Sequence, residues 1–181
     1  MRPTSILLLL LAAGLAPFAS ASIDPPPAVL CDSGARLERN DVALFFADQL
    51  NGKRIADTAW SHSGTDPDAA GFRIRIVTRA RELRGPATVR INANGMSAPI
   101  WVSDGLRVKG EVRFDPVTGG IYRVAGVLGP DYSAVWIEDA EGNRATGIVE
   151  SFGKDQDKAD AARTQALTTS ASKVASNRAQ A

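Results

Sequence analysis

His62 is the only histidine in this 181-residue chain, and Ser61, Ser63, Asp57, Asp66 and Asp68 lie close to it in sequence. A serine hydrolase needs a nucleophile, an imidazole base and an orienting acid that converge in space. The local order Ser-His-Ser-Gly-Thr-Asp matches no activated-serine signature, and adjacent residues point apart on most backbones. A polar loop is the expectation, with a small hydrolase centred on His62 as the alternative. Thr65-Asp66-Pro67-Asp68 could offer carboxylates to calcium, but the helix-flanked ligand pattern is absent and a solvated turn explains the residues as well. One histidine and the lone Cys31 cannot fill a zinc shell without further carboxylates. Glycine-rich phosphate loops and dinucleotide fingerprints are missing. The expectation is therefore a protein that is not an enzyme, with no catalytic residues, no metal and no cofactor.

Cations form the one cluster with recognition chemistry. Arg73, Arg75, Arg79, Arg81, Arg84 and Arg90 fall within eighteen residues. Arg73 and Arg75 project from the same face of a strand, and Arg90 on a paired strand would lie beside them. Such a strip could hold carboxylates or phosphates by bidentate hydrogen bonds, and Arg73, Arg75 and Arg90 are the candidate partner-binding residues. The competing reading is a solvated outer face that discourages edge-to-edge aggregation. Trp60, Trp101 and Trp136 read as core or rim aromatics.

The elements that would position this strip are strands. Phe72, Ile74 and Ile76 alternate with Arg73, Arg75 and Val77; Ala87, Val89 and Ile91 alternate with Thr88, Arg90 and Asn92. Leu106, Val108, Val112 and Phe114 likewise face away from Arg107, Lys109, Glu111 and Arg113, the period of half-buried strands. Asn94-Gly95 and Asp104-Gly105 suit tight hairpin turns, and Asp115-Pro116 to Gly119-Gly120, Gly129-Pro130-Asp131 and Glu141-Gly142-Asn143 mark longer ones. Further strands follow at 121–128, 134–139 and 144–152. Ahead of them, Val42, Phe45, Phe46 and Gln49/Leu50 follow helical spacing, capped by Asn40 or Asp41 and stopped by Asn51-Gly52. The fold expected is mainly β: a small antiparallel sandwich or barrel of about seven strands, one short N-terminal helix and disordered termini. No repeat of fixed period occurs. The strand, turn and strand of Val124–Leu128, Ala134–Asp139 and Gly142-Asn143 has the rhythm of secretin-associated periplasmic domains, but a polar tail stands where their second half would be, and no family is assigned.

Four segments result. Residues 1–21 read as a cleaved signal peptide: Arg2, an apolar run from Ile6 to Ala16, then Ala19-Ser20-Ala21 before Ser22. That run is far short of the roughly 20 residues that span a bilayer, so no transmembrane anchor is expected. Lipidation at Cys31 is disfavoured by Leu30 before it and by Asp24-Pro25-Pro26-Pro27 between it and the apolar run. Residues 22–36 read as a Pro-rich extended arm, 37–153 as the β-rich domain, and 154–181 as a polar Ala/Ser-rich tail. The tail holds only Leu167 and Val174 as large apolar residues and is expected to be disordered or a frayed helix that folds on a partner.

Without its 21-residue leader the 181-residue chain keeps 160 residues, enough for one domain. The leader removes Arg2, leaving 20 of the 21 Lys and Arg against 20 Asp and Glu. A neutral mature chain carries no global field for nucleic acid or anionic membrane. A single Cys31 excludes an internal disulfide; it reads as a buried or tail residue, or else as one half of an intermolecular bridge. The absence of any Asn-x-Ser/Thr site and the Ala- and Arg-rich composition fit a bacterial periplasm. The functional expectation is a periplasmic or secreted non-enzymatic binding or adaptor module, part of an envelope, pilus or secretion assembly. Its partner would be another envelope protein or an anionic envelope component, with no nucleic acid. A secreted enzyme inhibitor is the remaining alternative.

Overall fold

The computed structural model describes residues 24–36, 42–55, 60–63, 73–76, 80–97 and 102–180. The segment 1–21 expected to be a signal peptide, the expected mature start at Ser22, and the side chains of Trp60, His62 and Trp101 lie outside the described part. Among the described residues the chain is mainly β, with two antiparallel-rich sheets and one helix. Its strands are β1 (Ala28–Cys31), β2 (Ser33–Arg36), β3 (Val42–Leu50), β4 (Lys53–Arg54), β5 (Trp60–Ser63), β6 (Arg73–Ile76) and β7 (Ala80–Leu83). They continue with β8 (Ala87–Ser97), β9 (Val102–Phe114), β10 (Ile121–Val127), β11 (Tyr132–Asp139) and β12 (Val149–Phe152); α1 spans Gln156–Gln180.

The first sheet runs β12-β11-β10-β1-β7, and the second runs β2-β3-β8-β9 with β4 on β3. Strands β5 and β6 form a separate pair. The two main sheets share one core: Leu30, Leu83, Tyr122, Val124, Val135 and Ile137 from the first meet Phe45, Val89, Ile91, Val108, Val112 and Phe114 from the second. Alternation decides which residues these are: Val89 and Ile91 are fully buried between polar neighbours on β8, and Val108, Val112 and Phe114 alternate with the exposed Lys109, Glu111 and Arg113 on β9. The sheets approach closely at Gly126, where an added Cβ would run into the carbonyl of Ala134 and the ring of Phe45.

Strand β11 is buried along almost its whole length because both of its faces are covered. Val135 and Ile137 face the shared core, while Tyr132, Ala134 and Trp136 form a second cluster with Ala162 and Ala166 of α1. Arg163 of α1 donates to Glu150 at 2.7 Å, and the Tyr132 hydroxyl donates to the same carboxylate oxygen at 2.7 Å. The Arg163 hydrogen bond, with help from Tyr132, overrides burial and holds the Glu150 carboxyl below the usual range. Burial and that same carboxylate push the Tyr132 phenol well up.

Several expectations are corrected. The short N-terminal helix is instead β3: Val42 to Phe45 are all buried, so the two-residue period is hidden by burial on both faces. Asn51 (φ 50°) and Gly52 (φ 74°) do adopt left-handed conformations, but as the central pair of a tight turn from β3 to β4. Asn94-Gly95 and Asp104-Gly105 are not turns. They lie inside β8 and β9, where Asn94 pairs with Arg107 and Met96 with Ser103 across a bulge. The expected strand at 144–152 forms only over Val149–Phe152. The described part holds twelve strand segments rather than about seven, and one pair, β1 with β10, is parallel.

The termini differ too. The Pro-rich arm enters the core: β1 and β2 are one extended segment, 28–36, broken at Asp32, with Leu30 only 1% exposed. Its first half belongs to the first sheet and its second half to the second, a corner made by a strand that changes sheets. The tail is helical, docked through Ala159, Ala162 and Ala166, which recur at helical spacing on one face. Cys31 in β1 is half-buried with a free thiol.

Candidate binding surface

The structure divides the arginine cluster. Arg73 and Arg75 lie on β6, opposite Ser63 and Ser61 of β5, whereas Arg90 lies on β8 between Gln49 of β3 and Glu111 of β9. The strand paired with Arg90 is therefore not the strand of Arg73 and Arg75, and the expected strip of three is not assembled by strand pairing. The side chains of Arg73 and Arg75 lie outside the described part, as does Arg79.

Arg81 is structural. Its guanidinium forms two bonds to the Asp32 carboxylate, 2.5 and 2.9 Å long, with the two side chains 10% and 1% exposed. Asp32 Oδ1 also accepts the Ala47 backbone N–H at 3.0 Å. One acid at the sheet-changing corner thus ties β7 of the first sheet to β3 of the second.

Arg90 occupies the outer face of the second sheet. The β3–β8 ladder pairs Ala47 with Ile91 and Gln49 with Arg90, so Asp48 is the extra residue of a bulge and turns its carboxylate across the strand. Arg90 Nε and Nη2 each donate to it at 2.7 Å. Burial pushes the Asp48 carboxyl up, but the hydrogen bond from Arg90 and the charges of Arg90 and Lys109 outweigh it and leave it below the usual range. The same bond raises the Arg90 guanidinium.

Beside this pair runs the outward row of β9: Arg107, Lys109, Glu111 and Arg113, all exposed. Register places them against Asn94, Asn92, Arg90 and Thr88. With Asp48 neutralising Arg90, this face carries three cations and one acid on adjacent positions. An open cavity of about 420 Å³ lies at its end, lined by Asn51, Thr88, Arg113 and Asp115 among others. Arg123 and Arg163 lie elsewhere and are held by Glu138 and Glu150.

The sequence contained this row: period-two alternation already put Arg107, Lys109 and Arg113 on one outward face. Density along the chain pointed elsewhere, yet of the six arginines within eighteen residues the four on described strands, Arg73, Arg75, Arg81 and Arg90, are spread over β6, β7 and β8. Trp136 is buried, with its indole N–H donated to Glu138 at 3.0 Å, as a core aromatic would be.

Among the described residues no group of three or more His, Cys, Asp or Glu side chains is placed to hold a metal ion. No described helix is long and apolar enough to cross a membrane. Comparison with protein-family models, with curated proteins and with solved structures gives no match.

Proposed function

We propose that this chain is an exported, non-enzymatic binding or adaptor module of a bacterial envelope that engages an acidic partner through the outer face of the second sheet. The observation that carries the reading is a contrast in charge pairing. Arg81, Arg90, Arg123 and Arg163 are each held by a carboxylate, while Arg107, Lys109 and Arg113 stand exposed in a row. Charges on adjacent outward positions add to one local field, which attracts anions even on a chain of formal net charge +1. Arg90 belongs to this surface as its paired inner member; Arg73 and Arg75 would extend it only if β6 lies alongside. We read the two sheets as a sandwich closed at one corner by the segment 28–36. The export assignment rests on Arg2, the apolar run and Ala19-Ser20-Ala21, and the periplasm is the compartment it favours. The near-neutral chain favours a protein or envelope polymer over nucleic acid.

Retention of the mature chain on immobilised polyglutamate across a salt series tests the surface. The unsubstituted chain should bind with affinity that falls as salt rises. The triple variant R107S/K109S/R113S should lose most of that binding while melting at the same temperature, because the three side chains are exposed. Equal retention of both chains at every salt concentration overturns the reading.

A further inference from the structure

The basic row and an open sheet edge coincide on β9. This strand pairs with β8 along one side, and among the described residues no strand pairs with its other side. The direction of its backbone groups follows from Thr88 on β8. Thr88 accepts from the Asn51 N–H at 2.8 Å and donates its own N–H to Asn51 Oδ1 at 2.9 Å, so its backbone aims toward β3. Backbone groups alternate sides along an antiparallel strand. Arg90 and Asn92 therefore also aim at β3, and Val89, Ile91 and Ala93 aim at β9. Their partners Val112, Gly110 and Val108 aim back. The N–H and C=O groups of Arg107, Lys109, Glu111 and Arg113 are left pointing at the open edge, and these are the residues whose side chains form the charged outer row.

We infer that β9 accepts an extended acidic segment of a partner protein as an added antiparallel strand; this rests on the outer face being a binding surface. Alternate residues on a strand are about 7 Å apart, so cations at 107, 109 and 113 meet acidic residues at alternate positions of the incoming chain one to one. The position opposite Glu111 takes a neutral or basic residue. Intervening positions lie on the inner side next to Val108 and Val112 and suit β-branched apolar residues. Main-chain bonds supply affinity and the side-chain rows supply selectivity, the usual division in strand addition. The same cations oppose the pairing of β9 with basic strands, so the edge discriminates by charge sign.

The test uses a fluorescent peptide Glu-Val-Lys-Val-Glu-Val-Glu and a control of the same composition, Glu-Glu-Glu-Val-Val-Val-Lys, titrated with the mature chain. The alternating peptide should bind at least tenfold tighter. Glu111→Pro separates strand addition from charge attraction. It removes one edge-facing N–H, which β8 does not use, and makes the face more positive. Strand addition predicts at least a tenfold loss in binding; unchanged or tighter binding overturns the inference while leaving the charged surface intact. R107S/K109S/R113S binding the peptide as the unsubstituted chain does would overturn the surface itself. Should Glu111→Pro fail to fold, amide exchange on the unsubstituted chain decides: bound peptide should slow exchange at Lys109, Glu111 and Arg113, and unchanged rates there refute strand addition.

Discussion

Replacing Asp32 by Ala should be among the most damaging single changes available. The carboxylate is 1% exposed, holds a 10%-exposed guanidinium through two bonds of 2.5 and 2.9 Å, and accepts the Ala47 N–H at 3.0 Å. Removing it leaves the Arg81 charge buried without a counter-ion and orphans a backbone donor, and breaking one side of a buried pair costs about 3–5 kcal/mol. Arg81 Nε already lacks a partner, so the guanidinium has little else to turn to. That loss is a large part of the roughly 5–15 kcal/mol that holds a domain folded, and it corresponds to a fall in melting temperature of roughly 6–20 °C for a chain of this size. The assay is urea and thermal unfolding of the chain by far-ultraviolet circular dichroism. The double variant D32A/R81M removes both charges and should recover much of the loss, since the attraction and the desolvation penalty vanish together. A single variant within about 1 kcal/mol of the unsubstituted chain, or a double variant as unstable as the single, would refute the reasoning.

Ile91→Asp and Val112→Asp should each abolish cooperative unfolding, because both side chains are buried in the shared core and a charge there has no partner, which circular dichroism would show. Gly126→Ala should lower the urea midpoint clearly, since the new methyl meets the Ala134 carbonyl and the Phe45 ring; an unchanged midpoint would mean the sheets part easily there. Asn51→Ala removes a left-handed turn residue and the acceptor of the Thr88 N–H, and should cost about 1–2 kcal/mol by urea unfolding. The carboxyls of Asp48 and Glu150 lie below their ordinary values of 3.8 and 4.5 when folded, so the unfolded chain binds protons more readily. Their contribution is complete above those ordinary values and is lost as pH falls through the depressed folded ones. Asp48→Asn should flatten that acid limb in melts taken from pH 6 downward, and an unaltered limb would count against the Arg90 pairing.

Strands buried on one face were legible and those buried on both were not. On β8 and β9 each inward residue sits between polar neighbours, and the faces come out as the alternation says. On β3 the run Val42–Phe45 is buried on both sides, which erases the alternation and leaves a spacing that imitates a helix. Asn51-Gly52 announced positive φ correctly, yet the same pair ends helices and builds hairpins, and only the strand before it decides between them. The four-residue β1 and β7 offer too few residues for any period, and Pro25 to Pro27 ahead of β1 pointed to an arm. Long-range partners were beyond reach: nothing near Asp32 in sequence signals Arg81, and nothing near Arg90 signals Asp48.

The segment 28–36 has a consequence for how the chain reaches its native state. Strand β1 takes its place between β10, where Val29 meets Ile121, and β7, where Ala28 meets Leu83. The earliest strand thus completes the first sheet only after strands far downstream exist, and such non-local closure makes folding slow relative to chains built from neighbouring contacts. A chain emerging in order, amino end first, must reach Leu83 before β1 can pair with β7 and Arg123 before it can pair with β10. Trimming residues 24–36 would split the first sheet into β12-β11-β10 and an isolated β7, so this early segment is the strand that joins the sheet into one.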